Sequence, residues 1–331
     1  MKKTIKWGIL GTGNIAHKFA EGLRNVNYAE IFAVGSRNLN TALEFGSHYN
    51  ISRAYGSYEG LSKDQDVDVI YIATPHNLHF SNTMMCLNNG KHVLCEKPFA
   101  VNGFEVRQMI QKAREKNLFL MEAMWSRFIP HIIKAKELIN AGTIGEIKLL
   151  KADFGINFPF DETHRVYNRE LIGGSLMDVG IYPVFLSLLL FGKPKLIKAI
   201  AGLGPTSVDH NCSISFQYDK DLITVLYSSI VARTPVTAEI FGTKGKITFD
   251  EWWFTPVPIH HTDEHGESCQ IKLNYTGNGY NYEADEVVKC ILSGKNQSEL
   301  MTWSDSLLLI DTLDEIRSQC NIIYPDHDNP S

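Results

Sequence analysis

An α/β fold in two parts is predicted for this chain: a doubly wound parallel sheet first, then an α+β domain with an open, mostly antiparallel sheet. Three observations predict it. Strand-like and helix-like patterns alternate with short links over residues 1–125, the arrangement that builds a parallel sheet covered by helices on both faces. From residue 146 onward, strand-like runs follow one another with no helix between most of them, which calls for an antiparallel sheet. The length, 331 residues, suits two domains at ~150 residues each. The boundary is expected at 125/126, giving domains 1–125 and 126–331.

The elements are justified in order. Residues 5–10 form a short apolar strand that ends in a glycine turn, and Ile15, Phe19, Leu23 and Val26 then recur at helical spacing. Residues 29–35 read as the second strand and 41–49 as the second helix. The run 67–73 (VDVIYIA) is rich in β-branched residues and loses polar alternation after Asp68, as a strand buried on both faces does. Helix 80–89, strand 92–95, helix 103–117 and strand 118–121 complete the alternation. In the second half, helix 132–141 leads to strands 146–157, 211–218, 222–230, 238–241 and 246–249. Gly242-Thr243-Lys244-Gly245 supplies the hairpin turn between the last two. Helices 282–293 and 304–319 follow, and the polar tail from Tyr324 is expected to fray.

Composition removes several classes. Hydrophobic residues make up 44% and charged residues 21%, so disordered and fibrous readings fail. The formal charge is −5 with no basic run, which leaves no electrostatic footprint for nucleic acid. The longest apolar run, 181–191, is broken by Pro183 and Ser187 and falls short of the ~20 residues a spanning helix needs. Met1-Lys2-Lys3 resembles a signal n-region, but the apolar stretch behind it is too short. The six cysteines show no paired or metal-like spacing, so thiols in a reducing cytoplasm are expected.

Gly11-Thr12-Gly13-Asn14-Ile15-Ala16 lies between a predicted strand and a predicted helix, the context that gives G-x-G-x-x-G/A its meaning. Gly11 permits the tight turn, Gly13 lets a pyrophosphate approach the backbone, and Ala16 keeps helix and strand close. The helix N-terminus offers N–H groups to phosphate. The first domain is therefore read as a Rossmann domain that binds a dinucleotide. NAD sites place an acid on the ribose about 20 residues on. Here the second strand ends in Ser36-Arg37-Asn38, where Arg37 can fork onto a 2′-phosphate and Ser36 can donate another bond. NADP is the expected cofactor, with NAD as the alternative.

Two further segments carry chemistry. Glu96-Lys97-Pro98 follows a strand at the carboxyl edge of the sheet, where open α/β folds bind ligands. A lysine there can bond a substrate hydroxyl or lower a neighbouring acid's pKa, although a lone Lys-Pro also occurs as a plain surface loop. A cis bond before Pro98 is compatible with the sequence. In GGSLMDVGIY (173–182), Asp178 and Tyr182 share a face if the segment is helical; Pro183 complicates that helix, and on these residues alone Tyr182 reads more simply as a core tyrosine.

Taken together, GILGTGNIAHKF, VDVIYIATPHNLH, GKHVLCEKPFA, MEAMWSRFIP, GGSLMDVGIY and FGTKGKITF resemble the Gfo/Idh/MocA family of NAD(P)-dependent oxidoreductases. They are most similar to its branch of dimeric dihydrodiol and D-xylose (NADP) dehydrogenases. The resemblance runs nearly end to end. It implies a dehydrogenase acting on CH–OH, with Lys97, Asp178 and Tyr182 catalytic and Tyr182 as the acid/base. It also implies that Thr74, Pro75, His76 and His79 form the loop under the nicotinamide, with Glu96 and Lys97 beside the cofactor; His79 reads equally as a helix cap. Trp125, Arg127, Phe154 and Tyr280, with Tyr182, match positions that line that branch's substrate pocket.

The resemblance implies hydride transfer between a secondary alcohol of a sugar or trans-dihydrodiol and NADP. Rival readings on the same fold are a non-catalytic NAD(P)-binding regulator and an NAD-dependent glycosidase. No metal is expected, and His260, His261 and His265 read as loop histidines. Alternating apolar residues at 214–216 and 223–226 suggest a sheet face that meets a second copy, so a homodimer is expected.

Overall fold

The computed structural model describes residues 3–328, and the chain forms two compact units. The first runs to Phe128 and also includes Thr276–Leu307; the second comprises Ile129–Tyr275 and the residues from Leu308 onward.

The first unit opens with β1 (Ile5–Leu10), α1 (Asn14–Leu23), β2 (Ala29–Gly35), α2 (Leu39–Tyr49), β3 (Arg53–Tyr55) and α3 (Tyr58–Ser62). It continues with β4 (Val69–Ile72), α4 (His79–Asn88), β5 (His92–Glu96), α5 (Gly103–Lys116) and β6 (Leu120–Ala123). The six strands are all parallel in the order β3-β2-β1-β4-β5-β6, so the order reverses between β1 and β4, where such sheets bind ligands. All four residues of β4 are buried, as expected of a strand without polar alternation. Phe19 of α1 stacks on Tyr71 of β4 at 3.6 Å between ring centres, with Trp7 beside it. Burying each such ring contributes ~2–3 kcal/mol.

The second unit contains α6 (Pro130–Asn140), β7 (Ile147–Gly155), α7 (Ile181–Phe191), β8 (Leu196–Leu203), β9 (Asp209–Gln217) and β10 (Ile223–Ser229). β11 (Ala238–Gly242), β12 (Gly245–Phe249), β13 (Ile259–Asp263) and β14 (Ser268–Ile271) complete its sheet, ordered β14-β13-β12-β11-β7-β10-β9-β8. Only the β7–β10 pair is parallel. The expected fold class is met in both halves. Ile214, Phe216 and Leu226 turn to the inner face, where α7 packs on β7 and β10.

Several expectations need correcting. Residues 276–307, including α8 (Tyr280–Leu292), belong to the first unit although they follow the second in sequence. Strands β3, β8, β13 and β14 were not anticipated; they are short or half-exposed, with weak alternation. His260 and His261 lie in β13 rather than a loop, and His260 bonds Asp250 at 2.9 Å. The helical stretch Arg169–Phe191 is 23 residues long, so length does not exclude a span; 83% of its most apolar window is buried in the fold, which accounts for its apolarity. The chain does not fray at Tyr324: that side chain is buried, its hydroxyl donates to Gly173 O at 2.7 Å, and Arg317 pairs with Asp328. Residues 329–331 of the expected tail lie outside the described residues.

Candidate active site

The first unit provides a nucleotide-binding loop. Gly11 has φ +105°, its N–H bonds Gly35 O at 2.9 Å, and a Cβ there would lie 2.6 Å from Ala73 O. Glycine at 11 is required by the turn itself. At Gly13 the backbone is extended and a Cβ would meet nothing within 4 Å, so no neighbour in the fold demands a glycine. What a side chain would fill there is the approach to the start of α1, which has no side-chain cap and no acid in its first turn. Its first amides, together with the amides of Thr12 and Gly13, suit a pyrophosphate. Asn14 and Ile15 begin that helix, and Ala16 is fully buried.

At the tip of β2, Arg37 and Asn38 are exposed and Ser36 is buried. Ser36 bonds Thr41 Oγ1 at 2.8 Å, while Asn38 Oδ1 accepts from Asn40 N–H and caps α2. The Ser36 and Asn38 side chains thus each have a partner within the fold. Tyr58 lies beside Arg37: burial raises its phenol, and the guanidinium opposes that shift.

At the carboxyl ends of β4 and β5, the Lys97-Pro98 peptide bond is cis and Lys97 is half-buried. Glu96 is buried; it accepts a hydrogen bond from the Tyr71 hydroxyl, and its Oε2 accepts the Lys97 N–H at 3.2 Å. His79, read equally as a cofactor-loop residue and as a helix cap, begins α4 and is 0% exposed. Its Nδ1 lies 2.7 Å from Pro98 O and its Nε2 3.0 Å from Thr74 O, which brackets the two loops together. Burial lowers its pKa. Thr74 Oγ1 accepts from Asn82, while Pro75 and His76 remain half-exposed.

Two acids that sequence reasoning missed lie behind this motif. Glu122 of β6 accepts the Phe99 N–H at 3.1 Å and is pushed up to about 7, chiefly by burial, with Glu96 adding to the shift. Glu283 of α8 is fully buried with both oxygens unbonded, and burial followed by the Glu96 charge raises it well above the carboxylate range. Neighbouring buried carboxyls disfavour each other's ionisation, which biases Glu283 toward its neutral form. Nearby, Trp125 stacks on Tyr280 at 4.4 Å, and Arg127 is largely buried, 3.9 Å from Asp305.

The second unit holds the other predicted residues. Leu176–Gly180 form a wide π-helical turn that runs into α7, with Asp178 in the turn and Tyr182 one turn on, both buried. The Asp178 carboxylate is gripped by both ends of the Arg165 guanidinium, at 2.9 and 3.2 Å. The Tyr182 ring packs against Phe254 at 4.8 Å and Phe154 at 5.5 Å, and Phe154 stacks on Phe254 at 4.3 Å with Trp252 at its edge. An aromatic wall around a phenol is a surface for an apolar ring or the face of a sugar. Arg165, Trp252 and Phe254 were missed: Glu251-Trp252-Trp253-Phe254 offers a visible aromatic run, whereas nothing local marks Arg165.

A dinucleotide loop on a six-stranded parallel sheet, with a Lys-Pro turn at its carboxyl edge, defines an NAD(P)-binding oxidoreductase. The chain belongs to the Gfo/Idh/MocA oxidoreductase family: the model of its NAD-binding Rossmann fold matches residues 5–124, and that of its C-terminal domain matches residues 132–248. The expectation of an NAD(P)-dependent dehydrogenase is met. The chain is 38% identical over 332 residues to trans-1,2-dihydrobenzene-1,2-diol dehydrogenase of Xenopus laevis, covering 97% of this chain and 99% of that one. It is 36% identical over 333 residues to the Homo sapiens protein of the same name, covering 97% and 98%. Among solved structures, an aldose-aldose oxidoreductase from Caulobacter crescentus complexed with glycerol superimposes with a TM-score of 0.88 at 23% identity, covering 96% and 98%. A 3-ketoreductase from Actinomadura kijaniata in complex with NADP and TDP-benzene gives 0.87 at 24%, with the same coverage.

Proposed function

We propose that this protein is an NADP-dependent dehydrogenase that moves hydride between a secondary alcohol of a sugar or trans-dihydrodiol and the cofactor. The observation that carries the reading is Tyr182: a buried phenol walled by Phe154 and Phe254, one turn beyond an Asp178 whose charge Arg165 already balances. The dihydrodiol dehydrogenase name of the relatives supports the substrate class. For the cofactor, the amides at Gly11–Ile15 would hold the pyrophosphate, and exposed Arg37, with no carboxylate in the Ser36–Asn38 segment, favours the 2′-phosphate of NADP.

When bound, the nicotinamide accepts or returns the hydride. Tyr182 exchanges the alcohol proton. A phenol of ordinary pKa near ~10 is a poor base at neutrality unless a cation stabilises its anion, the role assigned to Lys97. Asp178, fixed by Arg165, orients the phenol and does not itself take the proton. Trp125, Arg127 and Tyr280 in the first unit, like Phe154 in the second, are assigned to substrate contact. The outward face of the second sheet carries Leu196, Ile200, Ile223 and Val225, 39 to 75% exposed, and this face is assigned to a homodimer. Six free thiols, five of them buried, suit a reducing cytoplasm.

Tyr182→Phe tests the reading: kcat should fall ~10²–10⁴-fold while NADPH affinity holds. Near-normal turnover with any pentose, hexose or trans-dihydrodiol that the wild-type protein oxidises would refute it.

A further inference from the structure

The segment that carries Asp178 and Tyr182 rests on a buried acid far away in sequence. Asp209, the first residue of β9, is 0% exposed. Its Oδ2 accepts from the Ser175 hydroxyl and from the Leu176 N–H, each at 2.7 Å. Ser175 does not cap the turn with its own side chain, so the acid that caps it comes from the sheet. A carboxylate at that end also meets the positive end of the helical peptide dipoles.

The glycines of this motif have their explanation in the same seat. Gly174 has φ +119°, and a Cβ there would lie 2.1 Å from Asp209 Oδ1. A Cβ on Gly180 would lie 2.7 Å from Ser228 Oγ, the hydroxyl that faces Ser175 Oγ at 3.0 Å. The chain just before is held as well, by the Tyr324 hydroxyl on Gly173 O. Asp209 Oδ1 is buried with no hydrogen-bond partner, so the acid is kept in an apolar place for the two bonds its other oxygen makes. Burial pushes its carboxyl up to about 6.

We propose that Asp209 is a positioning residue for the acid/base: its two bonds fix where the wide turn begins, and so set the rotation at which Tyr182 meets Phe154 and Phe254. A π turn holds one residue more than an α turn, so if the anchor is lost and the turn closes to α geometry, everything beyond it rotates by ~100°. The proposal rests on the reading of Tyr182 as the acid/base. The phosphate-binding residues belong to the first unit, so cofactor affinity is not expected to change.

The test is steady-state kinetics and NADPH binding on the full chain for Asp209→Asn, Ser175→Ala and Tyr182→Phe, well below each melting midpoint. Asp209→Asn should lower kcat ~10- to 100-fold, the scale of an ångström-sized misplacement. KM and Kd for NADPH should stay within ~2-fold. Ser175→Ala, which keeps the Leu176 bond, should lower kcat less and in the same pattern; it decides the matter should Asp209→Asn not fold. Asp209→Asn or Ser175→Ala melting lower but turning over normally would make Asp209 a fold residue only and overturn the proposal, as would a loss confined to NADPH affinity. Normal turnover by Tyr182→Phe would take down the underlying reading and this inference together. A crippled Tyr182→Phe beside a fully active Asp209→Asn would overturn the inference alone.

Discussion

Replacing Glu122 by Gln should change how stability depends on pH. In the folded chain this acid, 2% exposed, titrates at about 7, raised from the ordinary 4.5 mainly by burial. Between those values the native state keeps a proton that the unfolded chain has released, so native protein binds more protons and stability falls as pH rises. The window spans 2.5 units by that arithmetic, and at 1.36 kcal/mol per unit the loss is about 3 kcal/mol between pH 4.5 and 7. Gln has the same shape and cannot titrate, so it should keep the Phe99 N–H bond and escape the loss. The assay is urea unfolding of both proteins from pH 4.5 to 8. The difference in stability, variant minus wild type, should climb by about 3 kcal/mol across the window and be flat above it. Parallel curves would refute the claim that the carboxyl is held neutral. A difference that fell with pH would mean instead that Glu122 is stabilised as an anion, with Lys97 outweighing burial.

Three other outcomes are expected. Arg37→Ala should lower the NADP to NAD ratio of kcat/KM by ~10- to 100-fold, the worth of one charge-assisted bond; an unchanged ratio would remove the basis for NADP preference. Arg165→Met would leave Asp178 buried without its two-pronged partner. Because half of the arginine side chain is exposed, the cost should be roughly 1–2 kcal/mol by urea unfolding; unchanged stability would show that Asp178 does not depend on that pairing. Ile200→Glu, at the most exposed large apolar side chain, should shift sedimentation toward monomer without changing the secondary structure, whereas an unchanged dimer would move the interface elsewhere.

What was legible in the sequence is what is local. The turn at Gly11 and Gly13, the strand VIYI and the hairpin at Gly242–Gly245 are each specified by neighbours a few residues apart, and the structure places them as read. What failed depends on distant partners. His79 stays open between a cofactor loop and a helix cap in the sequence, because nothing near it reveals that Thr74 O and Pro98 O lie on either side of its ring. Asn38 is a local case: its Oδ1 accepts from Asn40 N–H, two residues on, and caps α2. Arg165 and Asp209 each act on 173–182 across a stretch with no periodic signal. Strand β8 escaped because its outward face is half apolar, which blurs the two-residue alternation on which strand recognition rests.

The assignment of 276–307 to the first unit bears on how the protein can be dissected. A fragment ending at Phe128 would lack Tyr280, on which the Trp125 ring lies, and Asn278, whose amide bonds the Lys18 carbonyl on α1. It would also lack Trp303, whose indole N–H bonds Leu120 O in β6. Such a truncation would bare aromatic surface and orphan a sheet carbonyl, so grafting this nucleotide half onto another scaffold requires the later segment to be spliced in with it.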